Sequence, residues 1–371
     1  MVSLRSTKPI GKEVVRPHRS KFSNMITTES NVTRVTERGL RKIELIGKVC
    51  TKMEHTIKED SAEKFVYNRI VDGHTAILEH EYVYFRIYCT DSVRKDFCCL
   101  SPYIRLSYNK TYIGFSYRFF TDVLGDSRRT YMNLTNVNNN ITVNDMFYMM
   151  LHLTPEFSSL MFDKQDILDN IHHFNQMAVT INRVYDEEVL KYAPEIFNVT
   201  YKITTDRGIT HEFVRHKEMS FMQESTRYCN YSKNRYGNKI NVIDPLFDNF
   251  EQSSEWADAM SDAEAHYMEL LKYGASPQMA RSVLPTSTKA DLYVSGTLDM
   301  WIGDSFEINT PKLKTTENKG FLPLRNSRFA HPQMIPIAQV IEDDLYDNYA
   351  VPIANIKNIK DLWKKIDSSQ K

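Results

Sequence analysis

The 371-residue chain reads as an α/β (α+β) protein. Two patterns carry that reading. Strand-like segments recur: EYVYFRIYC (81–89) alternates apolar and polar residues, and VTYKITT (199–205) is rich in β-branched residues. Helical spacing is as clear. Trp256, Met260, Ala263, Tyr267 and Leu270 recur within 253–273, and Gly274 follows as a stop. The hydrophobic share of 42% and charged share of 25% are those of a chain that buries a core.

In chain order, residues 1–30 read as a poorly ordered leader. It is basic but lacks the apolar centre of a secretion signal, and a mitochondrial-type targeting role is a minor alternative. Residues 35–50 look like an early strand. Residues 61–72 read as a helix, with Ser61 as cap, Glu63 in the first turn, Phe65, Ile70 and Val71 on its apolar side, and Gly73 as terminator. GHTAILEH (73–80) leads into the strand at 81–89. Residues 100–195 read as an insertion. It holds a polar loop (136–145), a Met-rich apolar run (146–153) and a helix over 166–190 with Ile167, Ile171, Phe174 and Met177 on one side.

After the strand at 199–205, Asp206-Arg207-Gly208 turns the chain into a central helix in which Phe213 and Val214 can anchor in the core. Ser276-Pro277 opens a short helix that halts at Pro285. Residues 286–303 form a strand or helix leading to Trp301, and 304–320 read as an inserted loop. A last helix runs from about Pro332 to Tyr349, and 351–371 is an amphipathic tail. The organisation is one catalytic domain over 31–350, with insertions near 100–195 and 304–320.

Lys plus Arg number 47 and Asp plus Glu 47, so formal net charge is zero. That argues against nucleic acid or an anionic membrane as the main partner, and makes any cluster of arginines a local device. The five cysteines include an adjacent pair, Cys98-Cys99, and show no metal-ligand spacing. A reducing, cytoplasmic compartment fits them. No apolar run approaches membrane-spanning length. Adjacent His172 and His173 point in different directions on a helix and make a poor metal pair. His74, Glu79 and His80 lack a third ligand at a telling spacing.

One stretch concentrates chemistry: 206–233, DRGITHEFVRHKEMSFMQESTRYCNYSK. Arg215, His216 and Lys217 sit side by side, and Gln223, Glu224, Ser225 and Arg227 follow. Forked arginines beside hydroxyls and an amide suit a planar anionic ligand that accepts hydrogen bonds, such as a nucleotide. Glu212, three residues before Arg215, either meets the ligand or orients Arg215. Arg281, in ARSVLP (280–285), lies among apolar neighbours and, if buried, needs an anionic partner. That partner is a ligand phosphate, a base oxygen or a structural carboxylate.

Arg215-His216-Lys217, seven residues, Ser225 and then Arg227-Tyr228 resemble the RHR-x7-S signature of the flavin-dependent thymidylate synthases. ARSVLP, and Leu324-Arg325 with His331-Pro332-Gln333-Met334, are similar to two further family segments. Gly73-His74 and Glu79-His80 resemble the family's flavin border. The resemblance implies a mixed sheet flanked by helices and a homotetramer with active sites between chains. It implies methylation of deoxyuridylate (dUMP), with FAD, NADPH and methylenetetrahydrofolate as cofactors.

The resemblance also implies residue roles. Glu212, Arg215, Gln223, Glu224, Ser225, Arg227 and Arg281 would hold dUMP. Arg325, or Arg328 nearby, would stabilise charge at the pyrimidine N3 side. His74, Glu79, Arg215, His216, Lys217 and Thr297 would lie at the flavin. No GxGxxG turn exists to hold FAD in a Rossmann manner. Departures gather on the flavin side: Lys217 for Arg, Ala76 for Ser or Thr, Thr297 and Asp299 for Asn and Arg, and Gly303 for a polar residue. They leave open a hydroxymethylating relative or a catalytically silent nucleotide-binding homologue.

Overall fold

The computed structural model describes residues 26–91, 93–94, 101–124, 154, 156–157, 160, 180–303 and 320–369. Its strands are β1 (Ile26–Thr28), β2 (Asn31–Arg34), β3 (Tyr82–Tyr88), β4 (Ile104–Leu106), β5 (Tyr112–Ser116), β6 (Thr180–Val184), β7 (Asn198–Asp206), β8 (Ser220–Gln223), β9 (Asn241–Ile243) and β10 (Lys289–Thr297). Its helices are α1 (Gly39–Lys48), α2 (Ala62–Val71), α3 (Tyr117–Leu124), α4 (Asp186–Tyr192), α5 (Arg207–Phe213), α6 (Phe250–Lys272), α7 (Pro277–Ala280), α8 (Leu298–Ile302), α9 (Phe321–Arg325) and α10 (Met334–Ser369). The α/β (α+β) class therefore holds.

The strands form two antiparallel sheets in the orders β2-β7-β10-β8 and β4-β5-β3-β6, and a parallel pair, β1-β9. Every residue of β10 is buried, because β7 and β8 flank it and the helical layers cover its faces. Leu292 and Val294 enter one core with Ile203, Trp301, Phe321 and Ile337. Trp301 is wholly buried, and its indole N–H reaches the carbonyls of Gly296 (3.2 Å) and Val199 (3.3 Å). That satisfies the one polar atom such a ring carries into a core.

Several expectations change. The segment 35–50 is mostly helix α1, not a strand. Ile43, Ile46 and Val49 are buried at a spacing of three, which is a helical period, so the β-branched residues mislead. Strand β3 is not half-buried. Tyr82 and Tyr84 enter the core around Trp301, whereas Val83, Phe85 and Ile87 enter a second core with Ile113 and Phe115. Ser61 precedes α2 but donates no cap. Its hydroxyl donates to Glu44 instead (2.7 Å). Val71 and Val214 are exposed rather than core residues.

Within the helix expected over 166–190, residues 180–184 form β6 and 186–190 begin α4, while 166–179 lie outside the described residues. The loop at 136–145 and the run at 146–153 also lie outside them, as does most of the inserted loop at 304–320. Residues 26–28, the end of the segment read as a leader, pair with β9. Helix α10 breaks at Tyr349 (φ −133°), where the tail was expected to begin.

Two glycines, Gly303 and Gly320, flank residues 304–319. Gly303 (φ 69°, ψ −172°) and Gly320 (φ 48°, ψ 167°) occupy backbone regions that side chains strongly disfavour. A Cβ on Gly320 would stand 2.3 Å from the Gly303 nitrogen. Gly303 is thus required by backbone geometry, which accounts for the missing polar side chain there.

Candidate active site

Helix α5 joins the segments that carried the sequence signal. Asp206 caps its start, accepting from the Ile209 N–H at 2.7 Å. Gln333 donates to the other Asp206 oxygen (3.1 Å), tying the start of α10 to the start of α5. At the opposite end, Arg325 of α9 donates from Nη1 to the Glu212 carboxylate (2.9 Å) and from Nη2 to the Glu212 carbonyl (2.7 Å). The two residues are 113 positions apart. A cation at a helix C-terminus meets unpaired carbonyls and the negative end of the dipole. Phe321 fixes α9 by stacking on Phe213 (4.9 Å) and meeting His216 edge-on (5.9 Å).

His216 is half-buried here. Burial lowers its pKa, Glu218 opposes and Arg325 adds to the lowering. Arg215 and Lys217, on either side, are exposed. Arg328 is also exposed and lies over the Phe329 ring at 4.7 Å. Of the two arginines considered for the pyrimidine, Arg325 is the one joined to α5.

Strand β8 carries the next group. Gln223 donates to the Thr210 hydroxyl (2.8 Å), and so joins α5 from the sheet side. Glu224 turns inward and is 1% exposed. Its carboxylate meets Lys52 (3.1 Å) and Lys289 (3.4 Å) and accepts from the Tyr231 phenol (3.1 Å). Asp291 shares both lysines, at 3.3 and 2.7 Å. Burial pushes Asp291 up, but Lys289, Lys52 and Lys202 outweigh it and hold the carboxyl well below its usual range. Ser225 is anchored through its N–H to the Cys50 carbonyl (3.1 Å).

Arg227 and Arg281 form an outer group. Both are exposed, so the expected burial of Arg281 is not realised: it follows the four-residue helix α7 on the surface. Arg227 donates from Nε to Gln278 of that helix (3.1 Å), three residues ahead of Arg281.

The flavin-side candidates divide. His74 is exposed at the start of the turn before β3. Glu79 is paired with Arg118, whose guanidinium covers the Tyr103 ring at 4.8 Å. Thr297 is 1% exposed and its hydroxyl donates to Asp299.

Sequence reading missed Glu195, near this last pair, but did name His80. Glu195 is 1% exposed, accepts from the Tyr108 N–H (2.7 Å) and has a second carboxylate oxygen with no partner. Burial, with Asp299 nearby, raises it to about 7. His80 is wholly buried against Ser295 (2.7 Å), and burial lowers it to about 3. No local motif marks Glu195, which the turn Pro194–Ile196 buries; His80 stands in a segment the sequence singled out, and the packing of the chain before β3 on the central sheet buries it. Among the described residues, no cluster that could hold a metal ion is present, and no helix is long and apolar enough to cross a membrane.

Comparison with known proteins identifies the same segment. Residues 163–310 match the family model described as thymidylate synthase complementing protein. A flavin-dependent thymidylate synthase from Synechocystis is 32% identical over 119 residues, covering 29% of this chain and 55% of that protein. A probable one from Paramecium bursaria Chlorella virus 1 is 29% identical over 117 residues (28% and 53%). One from Mycobacterium avium is 31% identical over 129 residues (30% and 48%). The chain thus spans about half the length of these relatives.

Among solved structures, the UMP/dUMP methylase PolB from Streptomyces cacaoi, bound with 5-Br UMP, matches with a TM-score of 0.34 and 18% identity. The match covers 46% of this chain and 81% of that one, and is too loose to bear on the site. Over residues 163–310, then, this chain is similar to the family described as thymidylate synthase complementing protein.

Proposed function

We propose that the chain catalyses reductive methylation of dUMP to thymidylate, with methylenetetrahydrofolate as carbon donor and NADPH as reductant of FAD. It acts as a homotetramer. The observation that carries this reading is the union of Arg325 with Glu212 at the end of α5, beside His216 and the exposed Arg215 and Lys217. Two separated segments, 206–233 and 324–334, meet on one helix.

In this reading Arg227 and Arg281 are the phosphate side. They are exposed guanidiniums near Gln278, suited to bidentate contact with phosphate oxygens. Gln223 and Ser225 line the sugar and base. Glu224 acts from beneath, through its lysines, and holds the end of β8 in place. Arg325 stands at the N3 side of the pyrimidine, where its charge stabilises electron density moved into the ring and makes C5 more nucleophilic. No cysteine is required as nucleophile. Burial raises Cys50 and Cys229 to about 11, which makes poor thiolates of both.

The exposed cations fit a flavin. Arg215 and Lys217 offer positive charge to a diphosphate, and His74 and His216 offer imidazole edges. When bound, the flavin supplies the hydride. Thr297 and Glu79 are committed to Asp299 and Arg118, so they serve that site by shape rather than by direct donation. The Thr297–Asp299 pair also favours a second reading, in which C5 receives a hydroxymethyl group without final reduction.

The test is the absorbance spectrum of the purified full chain, with and without dUMP, followed by product mass. Yellow protein and NADPH-dependent thymidylate support the main reading. Colourless protein that binds dUMP, or a hydroxymethyl product, supports the second. Failure to bind dUMP at all defeats both.

A further inference from the structure

We infer that Glu212 is the positioning residue for Arg325, fixing the guanidinium so that its Nε edge is left for the ligand. This rests on the proposed reading of Arg325 as the pyrimidine-side group. Each Nη atom of Arg325 donates once to Glu212, one to the carboxylate (2.9 Å) and one to the backbone carbonyl (2.7 Å). The Arg325 Nε is buried and has no partner. A guanidinium gripped at two points by one residue has its plane set, whereas one held at a single point swivels.

Both anchors are rigid. Glu212 belongs to α5, whose Phe213 is wholly buried. Arg325 belongs to α9, whose Phe321 is wholly buried between Phe213 and Trp301. Glu218 and Arg325 both act electrostatically on His216, which meets Phe321 of α9 edge-on. An unpaired buried N–H is costly unless something accepts from it. A pyrimidine oxygen or deprotonated ring nitrogen is an acceptor of the right size, and a single Nε contact would leave the Glu212 grip intact. Glu212 is then absent from the ligand's own contacts, and lysine at 325, with no planar fork, would not fix the direction of the contact to the ring.

The experiment measures binding by the full chain of dUMP and of deoxyribose 5-phosphate, which lacks the base. The variants are Glu212→Ala, Glu212→Gln, Arg325→Ala and the double Glu212→Ala/Arg325→Ala, with melting followed in each. Glu212→Ala is expected to weaken dUMP about 10-fold or more and to leave the base-free sugar phosphate unchanged. Glu212→Gln, whose amide oxygen still accepts from Nη1, should stay within about 3-fold of wild type. The double variant should bind no worse than Arg325→Ala, because two residues acting through one contact are not additive.

Equal loss on both ligands, or additive losses in the double variant, would overturn the assignment. Wild-type protein that binds the sugar phosphate but shows no preference for dUMP would overturn the reading of Arg325 itself.

Discussion

The two ends of the 206–233 stretch are built differently. At one end Glu212, Phe213 and His216 are packed against α9, and Arg325 is locked on two bonds. Toward the other, Arg227 and Arg281 stand exposed, and Arg227 meets neutral groups, Gln278 and the Tyr228 ring. Between them Glu224 faces inward to Lys52 and Lys289. The difference separates groups already held in place by the fold from groups whose order must come from a ligand or a neighbouring chain. A guanidinium meant for a ring needs a fixed plane. In the proposed reading the phosphate-side guanidiniums stand on the surface, which suits phosphate because it accepts from many directions.

The largest expected effect tests the inward group. Glu224→Ala leaves Lys52 and Lys289 short of one buried carboxylate. It is expected to cost about 3–5 kcal/mol in denaturant unfolding. A loss below about 1 kcal/mol would show that Asp291 alone balances the lysines, and that Glu224 is available to a ligand after all.

A second effect concerns the turn Pro194–Ile196, which packs against α8. Glu195 is raised to about 7 from an ordinary value of 4.5 by burial. The folded state therefore binds more protons than the unfolded state between these values. The contribution is full below about pH 4.5 and is lost as pH rises through about 7, to a total of about 3 kcal/mol at most. His80, lowered to about 3 by burial, works in the opposite sense, and its contribution is lost as pH falls below about 6.5. In Glu195→Gln, unfolding free energy should no longer decline between pH 5 and pH 8, roughly the window of the two carboxyl values. An unchanged decline would sink the attribution to Glu195.

The smallest stability effect belongs to the outer arginines. Arg227→Ala and Arg281→Ala should each change unfolding free energy by no more than about 0.5 kcal/mol, as exposed side chains do. Both should nevertheless weaken dUMP and deoxyribose 5-phosphate alike, and the loss should shrink as salt rises. A loss confined to dUMP would move these residues from the phosphate to the base.

Much of the fold was legible wherever one rule governed a segment. The helix at 253–273 and the strand at 199–205 are present because periodicity and burial agree there. Segments were misread where local preference and packing disagree. The β-branched run at 35–50 folds as α1 because its apolar residues fall at helical spacing. Strand β3 looked half-exposed, since a polar edge in sequence reveals nothing of the second core behind it. The site was legible as residue types, because the charged cluster at 215–227 and the separated Arg325 are visible without coordinates.

What the sequence determined by itself is chemistry: guanidiniums, an imidazole and carboxyls at defined separations along the chain. Their division into buried and exposed, held and free, was decided by tertiary structure. Glu224, Arg227 and Arg281 are all charged, yet burial and partners separate them completely. The reason is that a charge's role depends on the dielectric and the neighbours around it. Those neighbours, such as Lys289 beside Glu224 or Arg325 beside Glu212, arrive from far along the chain.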